Sequence, residues 1–123
     1  INPKLKIYGA EPKEADDALR SLQIGQIQSN KTTHTICDGL RAQIGTKTFP
    51  IIQSLVTDII TVTESEIIDS MKLIWERMKI IVEPSASITL AAVLSKPKLF
   101  KNKKIGLILS GGNFDLHQIP WMK

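Results

Sequence analysis

The apolar residues of this chain fall into short blocks whose spacing changes from one stretch to the next. Lys4-Leu5-Lys6-Ile7-Tyr8-Gly9 alternates polar and apolar positions and stops at glycine, which predicts a short strand. Glu14 to Ile24 places Ala18, Leu19, Leu22 and Ile24 at helical spacing and closes on Gly25. Residues 26–35 are polar, with Asn30, Thr32, Thr33 and His34, and read as a loop. Thr48-Phe49-Pro50 opens a second helix that reaches Val56; proline in a first turn costs no hydrogen bond, because that N–H is unpaired anyway. Asp58 to Thr63 holds Ile59, Ile60 and Val62, a short β-branched run that predicts a buried strand.

The clearest element follows. Thr63-Glu64-Ser65-Glu66 is a capping box, in which the Thr63 hydroxyl accepts the N3 amide and Glu66 reaches back to the cap N–H. Ile67, Ile68, Met71, Ile74, Trp75 and Met78 then share one helical face, and Arg77 and Lys79 complement the dipole in the last turn. Pro84 starts another helix running to Ser95, rich in small residues that suit close packing on a sheet. Lys96 to Lys104 reads as a basic loop. Ile105-Gly106-Leu107-Ile108-Leu109 is a near-continuous apolar run, which predicts a strand buried on both faces as in parallel sheets. The order β-α-α-β-α-α-β fits the α/β class, with an open, mostly parallel sheet flanked by helices.

Composition narrows the classes of function. A chain of 123 residues is enough for one domain and one core. It has no apolar run of about 18 residues, so no transmembrane helix and no membrane partner are expected. The first residues carry Lys and Pro instead of an apolar stretch, so no signal peptide is expected. Ile1 is not an initiator Met, which points to a processed chain or a fragment. The lone cysteine, Cys37, has no internal partner, and a reducing, cytoplasmic setting is expected. A lone cysteine is also a conceivable nucleophile; a semi-buried small residue is the plainer reading. The net charge is +4, but the lysines at 96–104 have only Phe100 among them. No nucleic-acid partner is expected, because such binding wants basic groups interleaved with aromatics.

Ligands of open α/β sheets bind beyond the carboxyl ends of strands, and three segments end there in polar residues. Ser110-Gly111-Gly112-Asn113 offers a neutral hydroxyl, and two glycines that permit close approach and positive φ; read alone, it is equally a turn. Glu11 and Asp17, with a backbone carbonyl between them, could offer hard oxygens to Mg²⁺ or Ca²⁺, although acidic residues there also favour a helix N-terminus. Glu83 stands just before a helix start, where N-terminal capping is the plainer reading. Asp38-Gly39 is a turn by default. His34 and His117 are isolated, and no H-E-x-x-H, G-x-S-x-G, P-loop or G-x-G-x-x-G is present.

The combination is far more specific than its parts. Gly9-Ala10-Glu11-Pro12, Thr35-Ile36-Cys37-Asp38-Gly39, Phe49-Pro50-Ile51-Ile52, Glu76-Arg77-Met78-Lys79, Val82-Glu83-Pro84-Ser85 and Leu109-Ser110-Gly111-Gly112-Asn113-Phe114-Asp115-Leu116 occur in one order and spacing. Together they resemble the serine racemase and serine/threonine dehydratase family, from Ile1 to Lys123. The resemblance implies the C-terminal part of the large domain of a tryptophan-synthase-β-like enzyme that uses pyridoxal 5′-phosphate (PLP). It implies that Ser110 hydrogen-bonds the pyridine nitrogen, that Gly111 and Gly112 belong to the same cofactor-binding loop, that Gly39 lies beside the cofactor face, and that Glu83 is close to the ring. It implies a structural Mg²⁺ or Ca²⁺ held by Glu11, the carbonyl of Ala15 and Asp17. It implies contacts from Lys79 and Asn113 to a nucleotide effector, ATP, at a subunit interface of a homodimer, and a small amino-acid substrate.

This sequence departs from the family pattern at Ser87, usually Gly or Ala, at Cys37, usually Ala, and at Phe114, usually Val. The family's Schiff-base lysine lies in a Ser-Phe-Lys segment and its phosphate cup is a glycine-rich loop; neither motif occurs in this sequence. The expectation is therefore a partial large domain, residues 1–123, that is inactive alone and poorly stable. The alternative is a non-enzymatic relative that binds a cation or nucleotide and acts through subunit association.

Overall fold

The computed structural model describes residues 2 and 4–122. Two strands, β1 (Tyr8–Pro12) and β2 (Asp58–Val62), pair in parallel, with Tyr8 opposite Asp58 and Pro12 opposite Val62. The crossover between them carries α1 (Asp17–Ile24), a 3₁₀ turn at Asp38–Leu40 and α2 (Phe49–Leu55). After β2 come α3 (Glu64–Met78), α4 (Pro84–Ser95) and the short α5 (Pro97–Phe100), then 3₁₀ turns at Leu116–Gln118 and Pro120–Met122. No helix of the described residues is long and apolar enough to cross a membrane.

The core has two parts. Ile60 and Val62 of β2 pack with Ile67 of α3, Ile88, Ala91 and Ala92 of α4, and Cys37 from the crossover loop. Alanines on α4 let its backbone sit close to the sheet, since a small side chain keeps the two surfaces near each other. The second cluster, Met71, Ile74, Val82 and Ala86, fills the seam between α3 and α4. Trp75 caps this seam, its indole N–H donating to the Val82 carbonyl at 2.9 Å. Phe114 and Trp121 meet Trp75 edge-on, with ring centroids 6.1 and 5.3 Å away, which pins the C-terminal segment to α3.

The capping box forms in full: Thr63 accepts from the Glu66 N–H, and Glu66 accepts from the Thr63 N–H. Ser87, at the small-residue position, is wholly buried and fits by donating to the carbonyls of Pro84 and Ile67 at 3.0 and 3.3 Å. It thereby links α4 to α3.

Four expectations are corrected. The first strand lies at 8–12 instead of 4–9, because β2 offers partners only from Asp58 onward; Leu5 is 65% exposed. Helix α1 starts at Asp17 instead of Glu14, and the side chains it buries are Asp17 and Ser21, while Ile24 is exposed. Within the basic loop, residues 97–100 form α5, and Phe100 packs edge-on against Tyr8 at 5.5 Å. Residues 105–109 are not a strand. Among the described residues the β1–β2 sheet does not extend to them, and Ile108 is 79% exposed.

Candidate functional site

Glu83 organises the site through its position before a proline. Pro84 disfavours helical geometry at the preceding residue, and Glu83 sits at φ −82°, ψ 164°. Its carboxylate makes no cap bond to α4. Instead Oε2 accepts the Asn113 N–H at 3.0 Å, and the Glu83 N–H donates to the Gly111 carbonyl at 3.1 Å. The loop from Ser110 to Asn113 is thus tied at two points to the start of α4.

Both glycines of the loop are required by this approach. A Cβ on Gly111 would stand 2.7 Å from Glu83 Oε1, and one on Gly112 would stand 2.6 Å from the Ile81 carbonyl oxygen. Neither needs positive φ: among the described residues that conformation belongs to Gly25, Lys79 and Asn102. Of the two uses expected of these glycines, positive φ is not displayed and close approach is, to Glu83 and Ile81 of this chain. Ser110, one residue from the tie, is exposed.

Gly39 joins the same helix start from the other side of the sequence. Its N–H donates to Asp38 Oδ1 at 2.8 Å and to Ser85 Oγ at 3.2 Å. A Cβ there would lie 3.1 Å from that hydroxyl oxygen. Glu83 and Ser85 together gather Gly39, Gly111, Gly112 and Asn113 at the N-terminal end of α4. Ser85 is the site residue that pattern reading passed over. It lies in the Glu-Pro-Ser motif, but its partner is 46 residues away, and nothing local announces that pairing. Beneath Gly39, Cys37 is fully buried, and burial pushes its thiol up to about 12. A thiol held protonated is inert at neutral pH, so the nucleophile reading is set aside.

The expected cation ligands are close in space but already engaged. Both Glu11 oxygens accept helix N–H groups, from Ala18 at 3.1 Å and Leu19 at 2.9 Å. Glu11 thus caps α1 from outside, as an acidic group near a helix N-terminus should. Burial pushes its carboxyl up to about 7; the Leu19 and Ala18 bonds oppose the rise, and the charges of Asp17 and Asp16 add to it. Asp17, 2% exposed, accepts from the Asn30 side chain and the Ile44 N–H, both at 2.7 Å. The Ala15 N–H turns back to the Pro12 carbonyl. No group of three or more His, Cys, Asp or Glu side chains is arranged as a metal site among the described residues. Lys79 is the exposed left-handed cap of α3, at φ 59°. His34 and His117 are both exposed.

Comparison with known proteins places this geometry. The family model described as pyridoxal-phosphate dependent enzyme matches residues 1–111. The serine racemase of Dictyostelium discoideum is 50% identical over 97% of this chain and 38% of its own length. The β-hydroxyaspartate dehydratase of Paracoccus denitrificans (strain Pd 1222) is 40% identical over 98% of this chain and 38% of its own. The solved structure of maize serine racemase superposes with a TM-score of 0.90 at 44% identity, over 98% of this chain and 38% of that one. The chain thus spans about 38% of the length of the curated relatives it matches. On sequence and fold alike, with the α/β architecture of the tryptophan-synthase-β-like enzymes, this chain belongs to the pyridoxal-phosphate-dependent enzyme family.

Proposed function

We propose that residues 1–123 are the C-terminal part of the cofactor-binding large domain of a serine/threonine dehydratase or serine racemase. The observation that carries this reading is the double tie of Glu83 to Gly111 and Asn113, with Gly39 held to Ser85 beside it. That arrangement fits PLP. It offers a neutral hydroxyl at Ser110, next to backbone too tightly packed for side chains at residues 111 and 112, and an exposed glycine at position 39 where a flat ring needs clearance.

When bound, PLP supplies an electron sink for negative charge developing at the substrate Cα. Ser110 would hydrogen-bond the pyridine nitrogen and leave it uncharged, which suits β-elimination and α-proton exchange. Glu83 would fix the loop that presents Ser110. Gly39 would clear the cofactor face. The proton-transferring lysine and the phosphate cup would come from sequence outside these residues. Glu11, the Ala15 carbonyl and Asp17 would hold Mg²⁺ or Ca²⁺ once the Glu11 oxygens turn away from the Ala18 and Leu19 N–H groups that they accept here. Lys79 and Asn113 would meet the phosphates of ATP in a homodimer, the lysine as a point charge.

The test uses the full-length protein carrying this sequence. With PLP it should release ammonia from L-serine or L-threonine, or racemise serine, and the 123-residue chain alone should do neither. Ser110→Ala should cost about 1 kcal/mol of cofactor affinity, one hydrogen bond's net worth. Turnover by the isolated chain, or full-length protein that binds no PLP, would contradict the reading.

A further inference from the structure

The loop carrying Gly39 has little structure of its own. Residues 26–48 contain one 3₁₀ turn and no helix or strand. Such a segment presents a glycine at a fixed place only when rigid elements hold it from outside. Ser85 of α4 holds it at Gly39, and Arg41 braces it internally, donating to the Thr35 carbonyl at 3.2 and 2.7 Å. Asp17 of α1 holds it at Asn30 and Ile44, and a further hold comes from the junction of β2 and α3. The Glu64 carboxylate, in the first turn of α3, accepts the Ile36 N–H at 2.8 Å through Oε2, across 28 residues. Its other oxygen, Oε1, is buried without a hydrogen-bond partner among the described residues.

We propose that Glu64 is a positioning residue: by holding the Ile36 N–H it fixes the Thr35–Leu40 loop so that Gly39 faces the cofactor. This rests on the reading of Gly39 as a cofactor neighbour. The bond needs an acceptor at Oε2, not a charge. Glu64→Gln retains that acceptor, whereas Glu64→Ala strands a part-buried N–H and frees the loop. Cofactor affinity then falls by the fraction of molecules that keep the competent loop.

The test is amide hydrogen exchange and PLP binding on the full-length protein. In the wild type the Ile36 amide should be protected. Glu64→Ala should lose that protection and weaken PLP binding about tenfold, the usual consequence of a stranded donor. Glu64→Gln should restore both towards wild type. An unprotected Ile36 amide in the wild type overturns the proposal even if no variant folds. So does a Glu64→Ala protein with unchanged cofactor affinity, or a Glu64→Gln protein as impaired as Glu64→Ala. A wild type that binds no PLP, with Ile36 protected, overturns the cofactor reading itself and this inference with it.

Discussion

Gly111 shows how little room the site leaves at the level of one atom. Its missing Cβ would meet the Glu83 carboxylate at 2.7 Å, so Gly111→Ala must displace that carboxylate from the Asn113 N–H it accepts. Overpacking of this kind costs about 1–3 kcal/mol. Because the loop so released carries Ser110, that cost should fall on cofactor binding, measured as roughly a tenfold rise in the PLP dissociation constant of the full-length protein. Part of this was legible in the sequence. Ser110-Gly111-Gly112-Asn113 announced a close approach, and Glu83-Pro84-Ser85 announced a helix start. That the two touch was not legible, because the Glu83 and Ser85 bonds span 30 and 46 residues. Glu11 was legible in both of its readings, and the structure displays the helix-capping one.

Helix α3 was readable from its own residues, because a capping box is a local device. Thr63→Ala removes the hydroxyl that accepts the Glu66 N–H and should lower the stability of the full-length protein by about 1 kcal/mol in denaturant titration. The Thr63 N–H and hydroxyl also hold the Glu66 carboxyl below its ordinary value of 4.5. A depressed carboxyl stabilises the fold above pH 4.5, and that contribution is lost as the pH falls through the lower folded value. The acid limb of stability should therefore be shallower in Thr63→Ala. Residues 105–109 show the opposite case. Their apolar run is a strand signal, but a strand is defined by its neighbours, and the described residues offer this one none. Periodicity likewise mis-set the first strand, whose register is dictated by Asp58–Val62 and not by its own alternation.

Across the whole molecule the sheet is small for the hydrophobic surface it serves. Two parallel strands stand with open edges, and Ile105, Leu107 and Ile108 remain exposed. Exposed apolar runs and unpaired strand edges drive association. The isolated 123-residue chain should bind a hydrophobic dye and aggregate or melt without cooperativity. A monomer with a sharp transition would contradict that. The family was legible because several short motifs kept their order along the chain. Which apolar residues stay exposed was not, since that depends on packing between distant segments that no local pattern describes.

The most direct measurement concerns the ring nitrogen of bound cofactor. Nitrogen-15 NMR of full-length protein loaded with ring-labelled PLP should show an unprotonated pyridine nitrogen in the wild type. Ser110→Asp should shift that signal to the protonated form. A protonated nitrogen in the wild type, or a signal indifferent to Ser110→Asp, would contradict the account.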